Sequence, residues 1–223
     1  MNPGRTARRS IGRPRPVAGV DLRERLLDAA LTLFSEQGIG GTTLAEIAAK
    51  AGVTPAMVHY YFTNRNRLLD AIVKERLLPI VLGVWSPLAE SREVVPMLRG
   101  LVQRIFKATE VNAWLPSLWL REIASEGGQL RTRLFRLASF DYVRHLISTV
   151  AAAQRRGEIN PELEPRLVLM SVIGNTMLPL ATLGMWQQLP PVLQGVNRED
   201  IARHAEALLV SAFSRNPAAA REG

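Results

Sequence analysis

The chain has 223 residues, 47% of them hydrophobic, enough to bury a core in one large domain or in a small domain joined to a larger one. It has no cysteine and three histidines, His59, His145 and His204, which excludes disulfides and thiolate metal sites. Its 28 basic and 20 acidic side chains give a net charge of +8, a balance that suits polyanionic partners such as nucleic acid.

The excess charge is concentrated at the start. Residues 1–20 hold Arg5, Arg8, Arg9, Arg13 and Arg15 with no acid, and are read as a basic flexible arm. No apolar core follows these arginines, so a secretion signal is not expected and the location is taken as cytoplasmic. Within the arm, "GRPRP" (Gly12 to Pro16) resembles the core of an AT-hook, an extended segment that lays arginines in a narrow minor groove. Arg13 and Arg15 therefore have two readings, DNA contact or a disordered, solubilising tail.

Beyond the arm, apolar residues recur at three- and four-residue intervals and no alternating strand pattern is found, so the fold class is all-α. Leu22, Leu26, Ala29, Ala30, Leu33 and Phe34 form one face of a first helix that Gly38 ends. Thr43, with Glu46 three residues later, has the capping-box pattern and predicts a short helix from Leu44 to about Ala51. Gly52 supplies a left-handed turn, Thr54 an N-cap and Pro55 the first turn of a helix through Phe62. Asn64 caps a fourth helix expected to end around 79–83.

Two short helices joined at Gly52 make a helix-turn-helix, an N-terminal three-helix unit with the helix preceding them. Leu44, Ile47, Ala48, Ala51, Val53, Val58 and Tyr61 are its predicted core. The second short helix then offers Thr54, Pro55, Ala56, His59 and Tyr60 to solvent, with Met57 at the margin, in the manner of a recognition helix in the major groove. It holds no arginine or lysine, so the common bidentate contact to guanine is absent. Base reading then rests on apolar contacts, phosphate positioning and DNA shape. Thr42 and Thr43, at a helix N-terminus, are further phosphate candidates. "GIGGTT" is not a nucleotide loop, because it lacks the lysine and follows a helix.

Residues 22–77 resemble the DNA-binding domain of the TetR/AcrR family of bacterial transcription repressors. The carrying segments are "RERLLDAALTLFSEQG", "TTLAEIAAKAGVTPAMVHYYF" and "NRNRLLDAI", in the family's order and spacing. Two departures stand out: His59 where the family often has tyrosine, and Arg65-Asn66 where it often has Lys-Glu. By the resemblance, Arg65 keeps a phosphate-binding charge. It further implies a homodimer, a small-molecule effector pocket in each subunit and release of a palindromic operator on effector binding. No cofactor, metal or catalytic residue is expected.

The boundaries drawn are 21–82 for the DNA-binding domain, 83–216 for a larger helical ligand-binding and dimerisation domain, and 217–223 for a disordered tail. The larger domain is read as helices near 91–110, 113–125, 128–156, 163–187 and 198–214. The uncharged stretch 167–186 is long enough to cross a bilayer, yet a helix covered by its own domain and by a second subunit explains the same composition. By the resemblance, 163–187 and 198–214 form the dimer interface. Pocket candidates are Phe106, Trp114, Trp119, Phe135, Tyr142, Met170, Met177 and Trp186. To these are added Asp141 and His145, one helical turn apart, and Asn175, a polar residue in an uncharged helix. A hydrophobic or amphipathic effector fits such a lining. The sequence leaves open a DNA-binding protein that senses nothing, and an activator in place of a repressor.

Overall fold

The computed structural model describes residues 18–191 and 194–213, with eleven α-helices and no strand among them. The arm through residue 17 and the tail from 214, with the expectations for Arg13 and Arg15, lie outside the described residues.

Helices α1 (Ala18–Gln37), α2 (Leu44–Lys50) and α3 (Pro55–Phe62) are set by local signals. Gly38, at φ 78°, turns the chain out of α1. The capping box at α2 is complete: the Thr43 N–H donates to Glu46 Oε2 at 2.7 Å, and the Glu46 N–H donates to Thr43 Oγ1 at 3.2 Å. Gly52, at φ 70°, makes the tight turn into α3. Thr54 has the extended backbone of an N-cap but its side chain makes no capping bond.

Ile47, Ala48, Ala51 and Val58 are buried as expected, while Leu44, Val53 and Tyr61 are partly buried and pack on the same core. Phe62 joins them, with the Arg23 guanidinium 5.2 Å from its ring centroid. Fully burying Val58 or Phe62 is worth about 1.5–3 kcal/mol each, which fastens one face of α3 and leaves the other free. Thr63, a non-glycine residue at φ 59°, ends α3, and the Asn64 side chain caps α4 (Arg65–Ile72) by accepting from the Arg67 N–H at 3.0 Å.

The fourth helix does not end where expected. It passes through one π-helical turn, Val73–Leu77, into α5 (Leu78–Trp85), and then a 3-10 turn, Ser86–Glu90. Pro79, early in the new segment, has no N–H to donate to the turn before it, and the π turn lies directly ahead of it. This long rod carries the chain out of the DNA-binding unit.

The rest is α6 (Val94–Val111), α7 (Leu115–Trp119) with a π turn (Leu120–Ala124), α8 (Arg131–Leu137), α9 (Asp141–Arg155), α10 (Val168–Trp186) and α11 (Arg198–Phe213). The single helix expected over 128–156 is broken at 138–140. There the Ser139 hydroxyl donates to Asp141 Oδ2 at 2.6 Å and accepts from the Asp141 N–H at 3.1 Å. That local pairing restarts the helix in place of continuing it.

Helix α10 packs on α6, α7 and α11, and buries Val168, Val172, Thr176 and Met177. Leu167, Met170, Leu178 and Met185 remain exposed, as does Leu208 on α11. By length and composition, Pro165–Trp186 is one helix apolar enough to cross a membrane among the described residues. The buried core runs from Leu26 to Phe213 as one connected cluster.

Candidate nucleic-acid interface and apolar cavity

The outer face of α3 presents Thr54, Pro55, Ala56, His59 and Tyr60 to solvent, with Met57 partly covered. Tyr60 is 77% exposed, with its ring edge-to-face with that of Tyr61 at 5.2 Å between centroids, so little of it is spent on the core. His59 Nδ1 lies 3.2 Å from the Thr63 carbonyl oxygen, so Nδ1 is the donor of that pair and Nε2 takes no part in it.

Three expected contact residues are committed elsewhere. Thr42 is buried, and its hydroxyl donates to the Gly38 carbonyl at 2.8 Å. The Thr43 hydroxyl donates to Glu46 Oε2 at 2.8 Å, inside the capping box. The Arg65 guanidinium donates to the carbonyl oxygens of Thr42, at 2.5 Å, and Ile39. Arg65 therefore clamps the turn between α1 and α2, where the sequence reading had it facing phosphate. On α4, Arg67 is exposed, and no hydrogen bond from its guanidinium is found among the described residues.

Besides the rod and the shared core, two sets of polar contacts tie this unit to the rest of the chain. Glu122, in the π turn after α7, is 6% exposed. Its Oε1 accepts from the Ile39 N–H and its Oε2 from the Gln129 N–H, both at 3.0 Å. On α8, Arg133 pairs with Asp70 and donates to Asn66 Oδ1 at 2.9 Å, gripping α4. Helix α1 is also bound to the rod within the first unit, through Arg23 to Glu75 and Arg76 to Glu24 and Asp28.

Beside Glu122 lies a cavity of about 360 Å³. Its walls come from α5 (Val81, Leu82, Trp85), the α7 end and π turn (Trp119, Ile123, Ala124), α8, the 138–140 break, α9 and α10. Of the predicted residues, Trp119, Phe135, Tyr142 and Met170 line it. Met177 lines a smaller space of about 40 Å³ that shares Val81, Trp85, Trp119 and Ile173 with the first.

The remaining candidates are not brought to either space. Phe106 packs in the joint between α6 and α11, under the Arg198 guanidinium at 5.6 Å. Trp114 packs on the core at the start of α7, and the Trp186 Nε1–H donates to Thr182 Oγ1 at 3.1 Å. Asn175 donates to the Ser171 carbonyl at 2.8 Å, the partner its helix supplies. Asp141 and His145 do not form an inward pair. Asp141 is exposed, and its carboxyl is held below its ordinary value by the Ser139 hydroxyl and then by Arg144. His145 Nε2 instead lies 3.1 Å from the Ser91 carbonyl oxygen.

Sequence reasoning missed Trp85, Arg131 and Glu122. Arg131 is a charge among 28 basic residues, and nothing in "REIASEGG" marks its glutamate as buried.

Residues 26–72 match the family model described as "Bacterial regulatory proteins, tetR family". The chain is 34% identical over 138 residues to the HTH-type transcriptional regulator BetI of Cronobacter sakazakii, covering 60% of this chain and 66% of that regulator. With the HTH-type transcriptional regulator SrpR of Pseudomonas putida the identity is 25% over 139 residues, covering 62% and 64%. The chain thus spans less than two thirds of the length of these relatives. Among solved structures, the ketosteroid transcriptional regulator KstR2 of Mycobacterium tuberculosis aligns with a TM-score of 0.68 at 17% identity, covering 87% of this chain and 95% of that one. FadR of Bacillus subtilis, solved in complex with stearoyl-CoA, aligns with a TM-score of 0.62 at 20% identity, covering 86% and 99%. At these identities the likeness is one of fold.

Proposed function

This chain belongs to the TetR family of bacterial regulatory proteins, and from that premise we propose that it is a transcriptional repressor. In this reading it binds a palindromic operator as a homodimer through α3 and leaves it when a small apolar or amphipathic molecule enters the cavity. The observation that carries the reading is the pairing of an exposed recognition face with a cavity whose wall is hydrogen-bonded to the DNA-binding unit. Thr54, Ala56, His59 and Tyr60 have free outward faces, and Ile123 and Ala124, next to Glu122, line the cavity.

Dimerisation through α10 and α11 is supported by the uncovered Leu167, Met170, Leu178, Met185 and Leu208. It has a mechanical purpose. Two recognition helices reach successive major grooves only at a separation of about 34 Å, so subunit spacing controls affinity. An effector that binds the other spacing better weakens DNA binding, and operator DNA weakens effector binding by the same factor.

Arg67, exposed on α4 and with no guanidinium hydrogen bond among the described residues, is the phosphate contact in this reading, alongside the N-terminal amides of α3. The test is fluorescence anisotropy with a labelled duplex carrying a palindrome from the adjacent promoter. Saturable, salt-dependent binding lost in the Tyr60→Ala and Thr54→Ala variants supports the reading. Equal affinity of wild type and both variants overturns the assignment of α3.

A further inference from the structure

The cavity is not uniformly apolar. Among its lining residues Arg131 is the one charged side chain, and no carboxylate lines it. Arg131 is partly buried, and its one hydrogen bond among the described residues runs from Nη2 to the Glu126 carbonyl oxygen at 2.9 Å. A guanidinium has five donors, so most of its capacity is unused. The contrast with its neighbour two residues on is direct, since Arg133 is paired with Asp70 and Asn66. In the same lining, Trp85, Trp119, Phe135, Phe140 and Tyr142 supply flat apolar surface. The Tyr142 hydroxyl likewise has no hydrogen-bond partner among the described residues.

We propose that the effector is an amphipathic organic anion, its apolar body laid between these aromatic side chains and its acid group paired with Arg131. This deepens the effector reading given above and rests on it. A cationic ligand finds no counter-charge in this wall. A neutral ligand covers the guanidinium without pairing it, which costs desolvation energy that nothing returns. An anion removes that cost and adds charge-assisted bonds of fork geometry.

The placement also explains how such a ligand is sensed. Arg131 and Arg133 are two residues apart on one helix, about 200° around its axis, so α8 holds the effector with one side and α4 with the other. A pull on Arg131 is therefore exerted on the helix that anchors the DNA-binding unit.

The experiment titrates three ten-carbon probes, decanoate, 1-decanol and decylammonium, into the full chain below the concentrations at which they self-associate. Intrinsic tryptophan emission reports binding, because Trp85 and Trp119 line the cavity. Decanoate is expected to bind about tenfold tighter than 1-decanol, a charge-assisted gain reduced for partial exposure, although the alcohol is the more readily desolvated head. Decylammonium is expected to bind weakest. Arg131→Gln should bring decanoate and 1-decanol within about threefold of each other, and Arg131→Lys should restore part of the preference. Thermal unfolding of both variants checks that they remain folded.

A wild-type preference for decanol, or a decanoate preference that survives in Arg131→Gln, overturns the proposal. So does the absence of any emission change with all three probes. Operator binding is measured in parallel: if the chain binds its promoter and decanol releases it as well as decanoate, the repressor reading stands and the anionic effector falls. If no specific promoter binding exists, the repressor reading falls first.

Discussion

Replacing Glu122 by glutamine isolates the contact that joins cavity wall to helix-turn-helix. The carboxyl serves two N–H donors from different parts of the chain, Ile39 through Oε1 and Gln129 through Oε2. A glutamine has one carbonyl oxygen, so it can satisfy one of them and must turn its amide NH2 toward the other. At 6% exposure water does not enter to compensate. Leaving one buried donor unsatisfied costs about 1–3 kcal/mol, and Glu122→Ala, which orphans both, about 2–6 kcal/mol before any cavity cost. Against a typical domain stability of about 5–15 kcal/mol, the alanine variant is seriously weakened while the glutamine variant stays folded. Urea unfolding followed by tryptophan emission reads the loss. If Ile39 is the donor that glutamine forfeits, amide hydrogen exchange should rise at the end of α1 and the start of α2 and leave α10 and α11 protected. Stability within about 0.5 kcal/mol of wild type, the scatter of an ordinary surface change, would refute the reasoning.

Other expectations follow from the same geometry. Arg65→Gln removes the clamp on the Ile39 and Thr42 carbonyls and should lower stability by about 2–4 kcal/mol, whereas Arg67→Gln should leave the melting temperature unchanged. In salt titrations of operator binding by the dimer, Arg67→Gln should reduce the magnitude of the log–log slope by about 1.8, about 0.9 for each subunit; an unaltered slope removes Arg67 from the interface. The Glu75 carboxyl is held below its ordinary value of 4.5 chiefly by its hydrogen bonds from Arg23, with the charges of Arg23, Arg76 and Lys74 adding to the effect and desolvation opposing it. Its folded-state value being the lower one, the ion pair's contribution is complete above the unfolded value near 4.5 and is lost as pH falls below it toward the folded value. Unfolding between pH 5 and 3 should therefore depend less on pH in Glu75→Gln than in wild type, and equal slopes would discount the pair. Gly128→Ala brings a Cβ to 2.2 Å from the Glu122 carbonyl oxygen, so the turn after the π segment must shift. A drop in melting temperature comparable to that of Glu122→Gln is expected, and an unchanged one would count against the turn as its support.

How much of this was legible in the sequence divides by the range of the interactions. The helix-turn-helix is written in short-range chemistry: the Thr43–Glu46 box, Gly52 at positive φ and Pro55 in a first turn each act within four residues. Such signals survive in any context, so α2 and α3 are found where the spacing puts them. The clamp made by Arg65 was not legible, for the opposite reason. Its sequence neighbours are polar and its position suits phosphate, but the carbonyls that capture it belong to residues 23 and 26 positions earlier. The break at 138–140 was hidden because Ser139 satisfies Asp141 locally within a run whose apolar periodicity continues through it. The cavity was half visible. Aromatic residues at helical spacing point to an apolar lining, while Trp85, on the connecting rod, and Arg131 gain meaning only when α5 and α8 are brought side by side. For Asp141 and His145, spacing fixed a shared helix face but not what that face meets, and it meets Ser139, Arg144 and Ser91.

The ties between the two parts of the chain lie at different places, and this decides what kind of motion can pass. Glu122 holds Ile39, in the turn that orients α2, and Arg133 holds Asp70 and Asn66, on α4 beyond α3. The rod from α4 to α5 and the shared core join the two parts as well, and the two ties add polar restraints at two further points. On the proposed reading, a change in tilt therefore has to move the π turn and α8, the two cavity walls that carry the ties. On that reading a molecule seated in the cavity, which Ile123 and Arg131 both line, touches the two segments that carry the ties. The connected core spans both parts, so it opposes bending inside either of them, and a tilt of one against the other must repack the joint they share. The Glu122 and Arg133 contacts should then be energetically coupled only in the presence of effector. A double-mutant cycle of Glu122→Gln and Arg133→Gln on operator affinity, run with and without decanoate, measures that coupling. Additive effects in both conditions would mean that the two ties act as separate stability contacts, with no part in release.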